Sequence, residues 1–196
     1  MAESLMKALV YHGPKNFEVI SVPIPVCNED EILIRVKFAG VCGTDNRIYQ
    51  GTKKISAPRI TGHEFSGVIE KIGGHGEGYH VGQRVSVYPM IHCGQCYCCK
   101  AGKTNICVNR TTIGYEIDGG FAQYVKIPKE AIVCGNVVPI PDNVSDEIAA
   151  ISEPIAAAYH GIQQAKLQSG DTFVIVGAGP IGLFHTQLSR RLDLAK

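Results

Sequence analysis

Five cysteines in a fifteen-residue stretch, four of them at metal-ligand spacing, constrain this chain more than any other feature. Cys93-x2-Cys96-x2-Cys99-x7-Cys107 can place four thiolates around one tetrahedral ion, and four sulfurs with no open position describe a structural zinc site. Gly94, Gly102 and Lys103 suit the tight turns of such a loop. The rival is an iron–sulfur cluster. Its bacterial spacing also has two x2 gaps, but then x3 and a proline, whereas here the last gap is seven and Val108 follows. Zinc is therefore favoured over iron–sulfur, and over free buried thiols. Cys98 is a surplus thiol, and spacing favours Cys99 as the ligand. A disulfide framework fits poorly, because 196 residues, 45% of them hydrophobic, can build a core without staples. The N-terminal Met1-Ala2-Glu3-Ser4 also lacks the basic-then-apolar order of a signal peptide.

Charge and hydropathy exclude other classes. With 19 basic and 18 acidic side chains the formal charge is +1, so no basic field is available to hold a phosphate backbone. Nucleic acid is not an expected partner. No apolar run reaches the roughly 18 residues a membrane span needs, so a membrane is not expected either. The expected location is the cytoplasm.

Short strands and turns dominate the first 140 residues. Met6–Tyr11 and Phe17–Ile20 flank the turn-rich His12–Asn16. Ile32, Ile34, Val36 and Phe38 alternate with Leu33, Arg35 and Lys37, which predicts a half-buried strand. Phe65–Ile72, Arg84–Tyr88 and Phe121–Ile127 are further strands, separated by glycines at 73, 74, 76, 78 and 82. The pattern predicts an all-β sandwich or barrel. Beyond Pro139-Ile140-Pro141-Asp142-Asn143 the texture turns helical. Ser145 can cap a helix whose first turn holds Asp146 and Glu147, and Pro154 should divide the alanine-rich run into two helices meeting at residues 152–154. Thr172–Val176 reads as a strand buried on both faces, as in a parallel sheet, with a helix running on to Lys196.

Between that strand and helix lies Gly177-Ala178-Gly179-Pro180-Ile181-Gly182, a G-x-G-x-x-G turn that can cradle a pyrophosphate at a helix N-terminus. The acidic residue that holds a ribose should follow roughly 20 residues on, and only 14 residues follow Gly182. The chain is therefore expected to be a fragment cut inside its nucleotide-binding domain. The expected layout is residues 1–144 as a β domain with its cysteine lobe near 90–110, residues 145–168 as connecting helices, and residues 169–196 as the first strand and helix of an incomplete α/β domain.

A second metal site with mixed ligands is suggested by Cys42, His63 and Glu64. Cys42 lies just past one strand and His63-Glu64 just before another, where a rigid scaffold presents chemistry. A Cys/His/carboxylate set suits a catalytic zinc with one open position. Alone, a single Cys and a single His are as often core as ligand. Cys27 and Cys134 read as buried small hydrophobes; His12, His75, His80, His92, His160 and His185 read as surface or packing residues.

Taken together, Cys42-Gly43-Thr44-Asp45, Gly62-His63-Glu64, the four-cysteine lobe and the glycine turn resemble the zinc-dependent medium-chain alcohol dehydrogenase family. The resemblance implies a GroES-like catalytic domain followed by the start of a Rossmann domain, a catalytic zinc, a structural zinc, NAD or NADP, and assembly into homo-oligomers at full length. Ser152-Glu153-Pro154-Ile155 looks like the sorbitol and threonine dehydrogenase branch. In that branch Glu153 would ligate the catalytic zinc directly or through its water; the other reading is a cap for the helix beginning at Pro154. The implied substrate is a secondary alcohol or polyol. Thr44 would pass on the hydroxyl proton, and Gly177, Gly179, Pro180, Ile181 and Gly182 would meet the cofactor. Two positions depart from the pattern. Arg47 stands where many relatives continue the relay with a histidine, so it can reroute the relay or meet the phosphate of a substrate or cofactor. Gln83, before Arg84, stands where relatives usually have Asp, with only a local effect on the turn expected. The competing classes are a non-enzymatic GroES-like zinc module and a zinc-free quinone reductase. The 196 residues alone are expected to be inactive.

Overall fold

The computed structural model describes residues 4–74 and 78–191. His75 and Gly76, the N-terminal Met1-Ala2-Glu3 and the predicted end of the last helix at Lys196 lie outside them. The chain forms two compact units, 1–150 and 151–196.

In the first unit the elements run β1 (Leu5–Gly13), β2 (Asn16–Pro23), β3 (Ile32–Gly40), α1 (Gly43–Tyr49), β4 (Arg59–Ile60) and β5 (Glu64–Ile72). They continue with β6 (Arg84–Val87), β7 (Met90–Ile91), α2 (Tyr97–Lys100), β8 (Thr111–Thr112), β9 (Tyr124–Ile127), α3 (Lys129–Val133), β10 (Val137–Pro139) and α4 (Asp146–Ala150). β1 and β2 are the expected hairpin, and β4 extends it on the far side of β1. A five-stranded antiparallel sheet follows in the order β10-β6-β5-β3-β9. Its core is Ile32, Ile34, Phe65, Ile69, Val85, Val125 and Ile127, all almost wholly removed from solvent.

The clean alternation predicted for β3 does not hold. Leu33 is 7% exposed and Phe38 is 40% exposed. Two irregularities in the pairing with β5, at Leu33/Ile34 and Val36/Phe38, shift the register and so change which face a residue takes. The short helix α4 also packs on β3 and β5. A five-residue helix leaves its carbonyls without helical partners. Here the sheet supplies them: Ser66 Oγ donates to the Asp146 carbonyl at 2.6 Å and Ser86 Oγ to that of Ala149 at 2.9 Å. Arg84 Nε adds an ion pair to Asp146 Oδ1 at 2.8 Å. The Gln83 side chain accepts from the His80 N–H at 3.1 Å and closes the turn before β6.

The strand predicted at Phe121–Ile127 begins only at Tyr124. Residues 119–121 bond elsewhere: Gly119 N–H to the Ile60 carbonyl, Phe121 N–H to that of Thr61 and Gly120 N–H to that of Gly62, at 2.8–2.9 Å. This lays the segment along the residues that lead into His63. Gly62 is at φ +89°, and a Cβ there would sit 2.6 Å from the Phe121 ring, so both backbone angle and space require glycine.

The second unit contains α5 (Ser152–Ala165) and α6 (Pro180–Ser189), which pack on each other. The break between α4 and α5 falls at Ile151, just before the expected 152–154, which form the first turn of α5. Pro154 lies in the first turn of α5, where its missing N–H has no helical partner to lose. Thr172–Val176 is not the doubly buried strand expected. It joins none of the sheets among the described residues, and Val174 and Val176 are 76% and 97% exposed. A parallel strand exists only through its ladder partners, and no neighbouring strand is among the described residues. The glycine turn nevertheless has its expected form. Gly177 is at φ +107°, a Cβ on Gly182 would lie 2.0 Å from the Gly177 carbonyl oxygen, and Pro180 opens α6.

Candidate metal centres

The cysteine lobe is closed at its base by β7 and β8, which pair antiparallel through Met90–Thr112 and Ile91–Thr111. Asn136 steadies that base by donating to the carbonyls of Tyr88 and Met90. Within the loop, the sulfurs of Cys93, Cys96, Cys99 and Cys107 all lie within 4.8 Å of one another. Neighbouring pairs are 3.5–3.8 Å apart. Cys98 is buried and outside the set, because α2 turns successive side chains away from each other. The N–H of Cys93 points to the Cys107 sulfur and that of Cys96 to the Cys93 sulfur. N–H groups of Cys99 and Val108 pull the Cys96 thiol well below its ordinary range. Burial and the neighbouring sulfurs of Cys96 and Cys107 push Cys99 far up. Four thiols this close resist ionising together unless a cation shares the charge, so the donor set fits a soft divalent ion such as zinc.

The second cluster joins segments twenty residues apart. Cys42 is the N-cap of α1, directly after β3. His63 and Glu64 stand at the start of β5, which pairs with β3 so that Gly40 faces Glu64. The antiparallel ladder thereby brings Cys42 to His63-Glu64, and their donor atoms lie within 4.8 Å of one another. His63 and Glu64 are buried. Burial lowers the His63 pKa to about 4, leaving a neutral ring able to ligate. Burial raises the Cys42 thiol, and the Glu64 carboxylate beside it raises it further. A half-buried thiolate against the buried Glu64 carboxylate is an unfavourable pair that a cation would relieve, so this set also fits a metal ion.

Two residues that sequence reasoning left without a role complete the site. Asp45 is buried. Its Oδ2 accepts from the Cys42 N–H at 2.8 Å, and its Oδ1 faces His63 Nδ1 at 3.8 Å. Neither of the latter two atoms has a hydrogen-bond partner among the described residues. A proton on Nδ1 turned toward Asp45 leaves the Nε2 lone pair facing the cluster, where Glu64 Oε1 is 3.9 Å away. Burial raises Asp45 to about 6. Its signal in the sequence was an acid three residues after an N-cap. Tyr115 is the other: its hydroxyl is 3.4 Å from His63 Nε2 and its ring centroid 5.1 Å from the imidazole. Only the fold brings it there. Thr44 lies in the first turn of α1 and accepts from Arg47 Nη2 at 2.8 Å. Glu153 belongs to the second unit, in the first turn of α5, and burial raises its carboxyl.

Comparison with known proteins identifies the class. Residues 28–142 match the alcohol dehydrogenase GroES-like domain family, and the chain belongs to that family. It is 41% identical to L-threonine 3-dehydrogenase of Rhizobium etli over 98% of this chain and 56% of that protein. It is 38% identical to sorbitol dehydrogenase of Halalkalibacterium halodurans over 94% of this chain and 53% of that protein. The structure superposes on a short chain alcohol dehydrogenase from E. coli CFT073 complexed with NADH, with a TM-score of 0.86 and 37% identity, covering 95% of this chain and 53% of that one. The chain thus spans about half the length of the curated relatives it matches. Among the described residues no helix is long and apolar enough to cross a membrane.

Proposed function

We propose that this chain carries the metal-binding part of a cytoplasmic oxidoreductase that moves a hydride between a secondary alcohol or polyol and NAD(P). The observation that carries this reading is the Cys42–His63–Glu64 cluster with Asp45 behind it. A scaffold that kept only a structural metal has no use for a second, largely buried Cys/His/carboxylate set. The fold family, the sorbitol and threonine dehydrogenase relatives and the NADH-bound neighbour support the same reading.

Cys42, His63 and Glu64 would hold the catalytic zinc. Cys93, Cys96, Cys99 and Cys107 would hold the structural zinc. A zinc at the first site supplies Lewis acidity to a bound hydroxyl, and NAD(P) supplies the hydride acceptor. The chain's own residues do the rest. Asp45 orients His63 and fixes its tautomer. Thr44 Oγ1, which accepts from Arg47, would pass on the substrate hydroxyl proton. The open space beside Gly179 and the N-terminus of α6 suit a pyrophosphate.

The test is elemental analysis of protein purified without added metal. One zinc in each cluster is expected, with Cys42→Ala removing one and Cys96→Ala the other. Zinc that depends on Cys96 alone would refute the catalytic site.

A further inference from the structure

Two cations that the mechanism does not use flank the Cys42–His63–Glu64 cluster. Arg47 lies in the last turn of α1, and its guanidinium folds back onto Thr44 Oγ1 at 2.8 Å, two residues from Cys42. Lys53 sends its ammonium over the Tyr115 ring, 5.0 Å from the centroid, and Tyr115 in turn touches His63. One loop holds both. The Arg47 carbonyl accepts from the Thr52 N–H at 2.9 Å, the Lys53 N–H at 3.0 Å and the Thr52 hydroxyl at 3.2 Å. The loop therefore leaves α1 and returns Lys53 beside Arg47. These three bonds hold the loop and keep the Lys53 backbone next to Arg47.

Neither cation has a carboxylate partner among the described residues. Surface arginines and lysines commonly extend into water, yet both of these bend toward the cluster. The guanidinium uses one of its five N–H donors on Thr44 and the ammonium lies on a ring face, so most of their donors stay free.

We propose that Arg47 and Lys53 form an oxyanion subsite beside the metal cluster, selecting alcohol substrates that carry a phosphate monoester. The inference rests on the dehydrogenase reading above and narrows its substrate class. The charges match: the pair contributes two positive charges, and a phosphate monoester carries about −1.5 to −2 at pH 7. The planar fork of Arg47 suits two phosphate oxygens, and Lys53 adds a point charge. A plain polyol gives this pair no charge to meet, and a single carboxylate meets half of it.

The experiment uses the 196-residue chain with cobalt in its metal sites, whose visible bands report ligands arriving at Cys42 and His63. Sorbitol, sorbitol 6-phosphate, inorganic phosphate and NADPH are titrated separately. Sorbitol 6-phosphate is expected to act at a concentration about tenfold or more below that of sorbitol, the size of one charge-assisted contact. Inorganic phosphate should compete with it, and added salt should shrink its advantage. Arg47→Gln and Lys53→Gln should each remove about tenfold from the phosphorylated ligand, with a much smaller effect on sorbitol. Lys54→Gln, an exposed neighbour on the same loop, should change neither. If sorbitol and its phosphate perturb the bands equally, the subsite is refuted and the dehydrogenase reading stands. If the two variants weaken NADPH and not sorbitol 6-phosphate, the cations serve the cofactor and the proposal is wrong. If no polyol perturbs the bands, this inference is refuted, while the dehydrogenase reading is judged by the zinc content of the Cys42 cluster.

Discussion

Asp45 offers the sharpest test of how the catalytic cluster is held, because one carboxylate performs two separable tasks. Oδ2 accepts from the Cys42 N–H and anchors the start of α1; Oδ1 faces His63 Nδ1. Asp45→Ala removes both. Loss of the first leaves a partly buried N–H without its acceptor at a helix N-terminus, which costs about 1–2 kcal/mol. For a chain of this size that lowers Tm by about 2–8 °C. Loss of the second frees the imidazole to rotate and removes the group that fixes its tautomer, an effect of about 10–100-fold in metal affinity. Asp45→Asn separates the tasks. Its amide oxygen still accepts from Cys42 N–H, so Tm should recover. It brings no negative charge to His63, so zinc affinity should stay low. The assay is competition for zinc against a chromophoric chelator, read separately for the Cys42 cluster in a Cys96→Ser background, together with thermal melts. Wild-type zinc affinity in both Asp45 variants would refute the orienting role. A normal Tm in Asp45→Ala would refute the capping role.

Three further outcomes follow from packing. Gly62→Ala puts a methyl 2.6 Å from the Phe121 ring at φ +89°, so it should cost about 1–3 kcal/mol by thermal melt and weaken zinc at His63; an unchanged melt would show that the 119–121 segment yields freely. Ser66→Ala and Ser86→Ala each strip an α4 carbonyl of its side-chain donor, and should each cost about 1–3 kcal/mol, with amide exchange rising first in α4; exchange rising uniformly would refute the local docking. Gly182→Ala places a methyl 2.0 Å from the Gly177 carbonyl oxygen, so amide signals of residues 177–182 should shift while those of β5 stay; an undisturbed turn would refute the close packing read there.

What could be read from residues alone was whatever is settled inside one short segment. The lobe ligands lie within fifteen residues, so their spacing nearly dictates the geometry; spacing favoured Cys99 over Cys98, and the turn of α2 decided it. The break before α5 is equally local, since a proline tolerates only the first turn of a helix. The β character of the first unit followed from repeated short alternations bounded by glycines. The second cluster needed more, because Cys42 and His63 meet only through the β3–β5 register, and spacing alone left each as plausible in a core as on a metal. Asp45 was visible as a residue and silent as a function until its two oxygens found Cys42 and His63. Tyr115 had no signal at all, since its place depends on residues 119–121 bonding to 60–62 instead of continuing β9. Thr172–Val176 makes the same point from the other side. Its apolar run encodes a strand, but backbone N–H and C=O groups take that form only when a partner strand is there to pair with them.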